Sequence, residues 1–147
     1  MIPVTQTKVV VRNSNGDIVV HGNCWAACIA SLLEVEINQV PNVEVFFDRN
    51  DGFWSHVMDK FLRGKGYEII TDSRYNYYHK LKNDFSQEAI KARQELNDTY
   101  YMGYGMSPRG VLHSCIYKNG QLVHDPHPSK DGTEPPTDFE VIDKITK

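Results

Sequence analysis

The sequence predicts an α+β domain in which a buried helix near the N-terminus packs against an antiparallel β-sheet. Two observations favour this class. The segment from Cys24 to Glu34 is apolar on nearly every side and contains no glycine or proline, as expected of a helix inside a domain. The residues from Thr99 onward form short β-rich runs separated by turn residues. A helix followed by a block of strands is an α+β arrangement, and the 147 residues predict one domain, 1–147.

The first elements surround a cysteine. Two β-branched runs, Val9–Val11 and Ile18–Val20, flank an Asn-Gly pair, which predicts an N-terminal hairpin. Gly22 then breaks the strand, and Asn23 is a residue of the type that caps helices. This reading places Cys24 in the first turn of the buried helix, where the helix dipole favours a thiolate.

The middle of the chain predicts more helices and one strand. A short helical piece follows from Val35 to Val40, and a turn at Asn50–Gly52 precedes a helix from Phe53 to about Arg63. We predict a strand at Tyr67–Ile70 and a helix from Ser86, its capping residue, to Leu96. The tyrosine-rich segment 73–82 fits neither pattern clearly.

The last third predicts antiparallel strands at 99–105, 111–117 and 121–124, followed by a loop at 126–136. Asn119-Gly120 forms a tight turn between the last two strands. In that hairpin Ser114 would face Asp125, with His113 one step away. A carboxylate at Asp125 can then reach the imidazole of His113 and fix its tautomer.

Composition excludes several classes of function. The net charge of −3 and the lone basic trio Lys60, Arg63 and Lys65, at a predicted helix end, do not indicate nucleic-acid binding. The longest apolar run is too short for a membrane span, and no export signal is visible. We therefore expect a cytoplasmic protein with free thiols, since its three cysteines are an odd number. The sequence does not indicate an oligomeric state.

Two separated motifs resemble one superfamily. The segments 22–28, 30–33 and 40–42 look like the nucleophile helix of small papain-like proteins of tailed phages, and 107–110, His113 and 123–129 look like the other half of their pattern. The order Cys, His, Asp-Pro is also similar to that of bacteriocin-processing peptidases of the wider papain-like superfamily. The resemblance covers the N-terminal third and about 103–132, and leaves the middle unmatched.

This resemblance implies a papain-like cysteine peptidase or amidase that cleaves an amide, isopeptide or thioester bond, or transfers the acyl group to an amine. Cys24 would be the nucleophile, His113 the general acid and base, and Asp125 the residue that orients His113. The substrate would be a peptide or another amide, and in a phage-encoded protein it could be a host protein in the host cytoplasm. We expect no cofactor and no metal.

The oxyanion donor departs from the papain-like pattern. Such enzymes usually hold a glutamine a few residues before the cysteine, where this chain has Ile18. Gln6 resembles the glutamine near the start of the phage proteins, and the predicted hairpin would be an insertion between Gln6 and Cys24. The residues that are candidates for binding substrate are Asn23, Trp25, Arg109, His124 and His127.

Other interpretations stay open. Cys28 and Cys115 are interpreted as core residues. Cys24, Cys28, His113 and Cys115 together offer a ligand set that zinc accepts, although their spacing matches no common zinc module. Arg109 can bind a substrate anion or pin its own loop. The protein can also be a catalytically silent papain-like module that inhibits a host protein by binding it.

Overall fold

The computed structural model describes residues 1–146, in which seven strands and three α-helices follow one another. The strands are β1 Val11–Arg12, β2 Ile18–Val20, β3 Tyr67–Thr71, β4 Tyr100–Met106, β5 Leu112–Lys118, β6 Gln121–His124 and β7 Asp138–Lys144. The helices are α1 Cys24–Leu33, α2 Phe53–Gly64 and α3 Gln87–Glu95, with 3₁₀ turns at Ile37–Gln39, Val43–Phe46 and Ser73–Tyr78. The fold is α+β, as the sequence predicts.

One antiparallel sheet of five strands, in the order β3-β7-β4-β5-β6, forms the centre of the fold. The hairpin β1–β2 is a separate two-stranded sheet and is shorter than predicted, because Val9 and Val10 lie outside it. No helix among residues 1–146 combines the length and apolar character that crossing a bilayer requires.

Helix α1 is the buried helix that the sequence predicts. Its residues from Trp25 to Ser31 are buried, and it packs on the sheet face that carries Met102 and Ile116. The helix ends where Glu34 adopts a left-handed conformation with φ of 58°, a common way to stop a helix. The apolar composition of α1 follows from this position between sheet and loops.

A β-bulge shifts the register of the β5–β6 hairpin. The tight turn forms as predicted, with positive φ at Asn119 and Gly120. Lys118 pairs with Gln121, but beyond an irregularity between Ile116 and Tyr117 the partner of Ile116 is His124. Continued past the bulge, this register sets Asp125 beside Cys115, so the predicted pairing of Ser114 with Asp125 is wrong by one residue.

Strand β7 has no counterpart in the sequence-based prediction, although it lies inside the sheet between β3 and β4. It pairs with β4 through Met102–Glu140 and Tyr104–Asp138. The second face of the sheet carries an aromatic cluster that includes Phe139 of β7 and Tyr101 of β4. The chain therefore returns to the sheet centre after the loop at 126–136.

Candidate active site

The imidazole of His113 and the carboxylate of Asp125 form a buried pair. Nε2 of His113 lies 2.6 Å from Oδ1 of Asp125, and each residue is 3% exposed. The carboxylate also accepts the backbone N–H groups of His127 at 2.9 Å and Gly132 at 2.7 Å. Burial alone would raise the pKa of Asp125, but these hydrogen bonds hold it below its usual range.

The ionised carboxylate fixes the orientation and the tautomer of His113. A carboxylate is an acceptor only, so Nε2–H of His113 donates to Asp125. Nδ1 is then the ring nitrogen left to exchange a proton with another group. Burial by itself lowers the pKa of His113, but hydrogen bonds to Asp125, Cys115 and Cys24 outweigh it and raise the pKa to about 11.

Cys24 is the first residue of α1 and is half-buried. Burial opposes ionisation of its thiol, yet hydrogen bonding to His113 and the positive charge there lower the pKa. Ser114, the residue after His113, adds side-chain and backbone hydrogen bonds that act in the same direction. Cys24 and His113 therefore form a coupled pair in which thiolate and imidazolium stabilise each other.

The two remaining cysteines are buried and carry the protonated form. Cys28 donates from Sγ towards the carbonyl oxygen of Ser114 at 3.5 Å. Burial raises the pKa of Cys28 and that of Cys115. Both therefore have the surroundings of unreactive core residues, in agreement with the interpretation from sequence.

The four-ligand zinc set considered from sequence does not assemble. Among residues 1–146, the potential ligand atoms that lie within 4.8 Å of one another belong to His113, Cys115 and Asp125. Neither Cys24 nor Cys28 belongs to this group. The hydrogen bond between His113 and Asp125 already occupies one ligand atom of each.

Gln6 is held in place by hydrogen bonds from both its backbone and its side chain. Its backbone N–H donates to the carbonyl of Pro126 at 2.9 Å, next to Asp125. Its Nε2 donates to the carbonyl of Lys8 at 2.7 Å, which leaves the second N–H of the amide free to donate elsewhere. Gln6 is 7% exposed and lines the same cleft as Cys24 and His113.

Asn23 precedes α1 but does not cap it through its side chain. Its Oδ1 accepts the backbone N–H groups of Thr7 and Lys8 at 3.0 and 2.9 Å, and its Nδ2 donates to Thr7 Oγ1. The residue is 3% exposed. The predicted side-chain cap is therefore wrong, because the amide of Asn23 instead holds the segment after Gln6 against the start of α1.

His124 differs from its prediction as a cleft residue. It is 7% exposed, and its Nε2 lies 2.7 Å from the carbonyl oxygen of Val4. A carbonyl is an acceptor, so Nε2–H of His124 donates to Val4. The side chain ties the N-terminal segment to the end of β6, and it is not among the residues of the cleft.

Arg109 and His127 both line the cleft and both contact the same serine. One guanidinium nitrogen of Arg109 donates to Ser129 Oγ at 3.1 Å. Nδ1 of His127 accepts the backbone N–H of Ser129 at 3.0 Å, so a neutral ring carries its proton on Nε2. Burial and the charge of Arg109 lower the pKa of His127. Arg109 thus pins the loop and still faces the cleft.

Cys24 and His113 line a cleft of about 1050 Å³. One wall contains Trp25, whose ring meets that of Trp54 edge to face with centroids 5.4 Å apart. The cleft residues that the sequence does not single out come from the middle of the chain and from β4 and β7, and include Trp54, Ser55, Asp59, Tyr104, Asp138 and Glu140. These residues carry no motif of their own, and only the packing of the elements brings them together.

Comparisons of the chain with protein-family models, with curated proteins and with solved structures find no match.

Proposed function

We propose that this protein is a cysteine hydrolase, a peptidase or amidase that cleaves an amide, isopeptide or thioester bond through an acyl-Cys24 intermediate. The observation that carries the proposal is the 2.6 Å hydrogen bond between His113 and the buried carboxylate of Asp125, in a cleft that His113 lines together with Cys24. A core cysteine needs neither an oriented imidazole nor a lowered pKa.

In the proposed reaction Cys24 forms a C–S bond that later breaks, and His113 donates a proton and later takes one up. The thiolate of Cys24 attacks the substrate carbonyl carbon, forming a C–S bond and an oxyanion. When this intermediate collapses, the C–N bond of an amide breaks and the imidazolium of His113 gives its proton to the departing nitrogen. Neutral His113 then takes a proton from water, whose oxygen attacks the thioester. The C–S bond breaks, and the carboxylic acid and the Cys24 thiolate are released.

Two N–H donors are available for the oxyanion. The backbone N–H of Cys24 is in the first turn of α1, where it has no partner within the helix. The second donor would be the free N–H of the Gln6 side chain, which is fixed by the carbonyl of Lys8. A donor held in place before the reaction needs no reorganisation as charge develops.

The fold supports a papain-like assignment of this site. The nucleophile begins a buried helix, the helix packs on an antiparallel sheet, and the base lies on the second residue of β5. The chain order Cys24, His113, Asp125 is the order of the resembling motifs. The substrate we propose is a peptide or another amide, including a segment of a host protein if the chain is phage-encoded.

Labelling with iodoacetamide from pH 4 to 9, read by mass spectrometry, tests the proposal. We expect selective alkylation of Cys24, half-maximal below the usual thiol pKa of about 8.5. In His113→Ala the midpoint should rise and selectivity should fall. The same protein unfolded in urea is the control, because all three cysteines should then react alike.

A second measurement detects the acyl-Cys24 intermediate. With an activated acyl ester in excess, wild-type protein should gain the mass of one acyl group, and Cys24→Ala should gain none. Equal and slow labelling of all three cysteines, with no acyl adduct, would contradict catalysis. A Cys24→Ala protein that still binds and inhibits its host target would establish the silent binding module instead.

A further inference from the structure

The cleft is lined by a carboxylate that has no cationic partner within the described part of the chain. Glu140 of β7 is half-buried and accepts a hydrogen bond from the hydroxyl of Tyr104 on β4. Burial raises the pKa of Glu140, the Tyr104 hydrogen bond opposes this, and the nearby charge of Asp138 adds to it. Among residues 1–146, no lysine, arginine or histidine forms an ion pair with Glu140. A partly buried charge of this kind gains from a cation brought by a ligand.

Other carboxylates make the part of the cleft around Glu140 more negative. Asp138 lies two residues earlier on β7, so its side chain shares the face of Glu140, and both line the cleft. Asp59 lines the cleft from α2, but its carboxylate is already paired with Arg63 at 3.0 Å. Among residues 1–146, the cleft is lined by one arginine, Arg109, and by no lysine. Arg109 is hydrogen-bonded to Ser129.

The aromatic wall supplies a second, independent sign of a ligand. Trp25, directly after the proposed nucleophile, is 9% exposed, and its indole Nε1–H has no hydrogen-bond partner. A buried donor of this type usually has a partner. Trp25 and Trp54 together offer apolar ring surface beside Cys24. Such surface suits the alkyl stem of a long side chain, and tryptophan faces also attract cations.

We infer that the substrate is a peptide with a lysine or arginine side chain next to the scissile bond, and that Glu140, assisted by Asp138, binds this cation. The inference rests on the proposed function, because the scissile bond is placed by Cys24. Glu140 is a specificity-determining residue in this arrangement. Its role is to bind and orient the substrate, and it takes no part in proton transfer.

Peptide electrophiles that alkylate the nucleophile test this assignment. Three probes share one sequence and differ only beside the reactive group, where they carry lysine, norleucine or glutamate. We expect Cys24 to react about tenfold faster with the lysine probe than with the norleucine probe, as for a hydrogen-bonded charge pair, and slowest with the glutamate probe. Glu140→Gln should reduce the lysine preference to within about twofold, and Asp138→Asn should reduce it partly.

Iodoacetamide labelling and a control variant distinguish a failure of the Glu140 assignment from a failure of the proposed hydrolase. Asp143→Asn removes one charge from the exposed end of β7, outside the cleft, and should keep the lysine preference. Equal rates with the lysine and norleucine probes, while iodoacetamide still labels Cys24 selectively, would overturn the assignment of Glu140 and leave the hydrolase intact. If iodoacetamide does not label Cys24 selectively in wild-type protein, both the assignment of Glu140 and the proposed hydrolase are overturned. Circular dichroism melting verifies that Glu140→Gln, which keeps the shape of the side chain, is folded.

Discussion

Asp125 lies on the His113 side of strand β5 and not on the Ser114 side. Directly opposed residues of paired strands point to the same face. Had Ser114 faced Asp125 in an unbroken hairpin, the carboxylate would have pointed away from His113. The bulge between Ile116 and Tyr117 shifts the register by one residue, and the 2.6 Å hydrogen bond between His113 and Asp125 follows.

Asp125→Asn should weaken both the proposed chemistry and the fold. Asparagine has one acceptor oxygen, which at the position of Oδ1 still accepts from His113 and His127 N–H, while Gly132 N–H loses its acceptor. We expect the free energy of unfolding to fall by about 1–3 kcal/mol and the acylation rate by about 10²–10⁴. Urea unfolding and ester acylation measure the two effects. Asp131→Asn, on an exposed position of the same loop, should change neither.

The His113 pKa of about 11 predicts a dependence of stability on pH. A raised pKa in the folded state adds stability that is complete below the unfolded value of about 6.5 and disappears as pH rises towards the folded value. In Cys24→Ala, where Asp125 still holds the imidazolium, the free energy of unfolding should fall between pH 6.5 and 9. Urea unfolding at each pH measures it.

The double variant Cys24→Ala with His113→Asn is the control for this experiment. It should lack the part of the slope that His113 contributes, while retaining the contributions of Cys28 and Cys115, whose raised pKa values also lower stability at high pH. Parallel curves for the single and double variants would contradict a raised His113 pKa.

Asp125 should act at the opposite end of the pH scale. Its pKa is held below the usual range, so its contribution is present above the unfolded value of about 3.9 and is lost as pH falls below it. Wild-type protein should therefore lose stability below about pH 4. In Asp125→Asn, acid unfolding should be less steep, which a circular dichroism titration between pH 5 and 2 detects.

Gln6→Leu should separate oxyanion stabilisation from thiol reactivity. Without the side-chain N–H, acylation by an activated ester should slow by about 10²–10³. Alkylation of Cys24 by iodoacetamide forms no oxyanion, so its rate should stay within about twofold of wild type. A slower alkylation would indicate instead that Gln6 positions Cys24. Loss of the hydrogen bond to Lys8 should cost about 1 kcal/mol in unfolding free energy.

His124→Ala should loosen the N-terminal segment. Nε2–H of His124 donates to Val4 at 2.7 Å, and the side chain is 7% exposed. We expect a loss of about 1–3 kcal/mol in unfolding free energy and faster hydrogen exchange at the amides of Ile2 and Val4, which donate to Ser31. Unchanged exchange at these amides would contradict the anchoring role. His56→Ala, on an exposed residue of α2, is the control for stability.

Local patterns in the sequence determined the helices and most of the strands. The apolar run after Asn23 fixed α1 because burial of that composition needs a central position, and Asn119-Gly120 fixed the β5–β6 turn because both residues accept positive φ. The sequence also predicted the position of Cys24 at the start of α1 and the proximity of His113 to Asp125. Each helix or turn signal is contained in a short segment, which is the range over which a sequence pattern predicts structure directly.

Tertiary structure decided what depends on distant partners. The bulge in β5–β6 interrupts a hairpin whose turn predicts a regular register, and the central position of β7 depends on pairing with the distant strands β3 and β4, so the sequence patterns show neither. The same pairing placed Glu140 and Tyr104 in the cleft and turned His124 towards Val4. A side chain's neighbours across a sheet are set by register and packing, and these are properties of the whole fold.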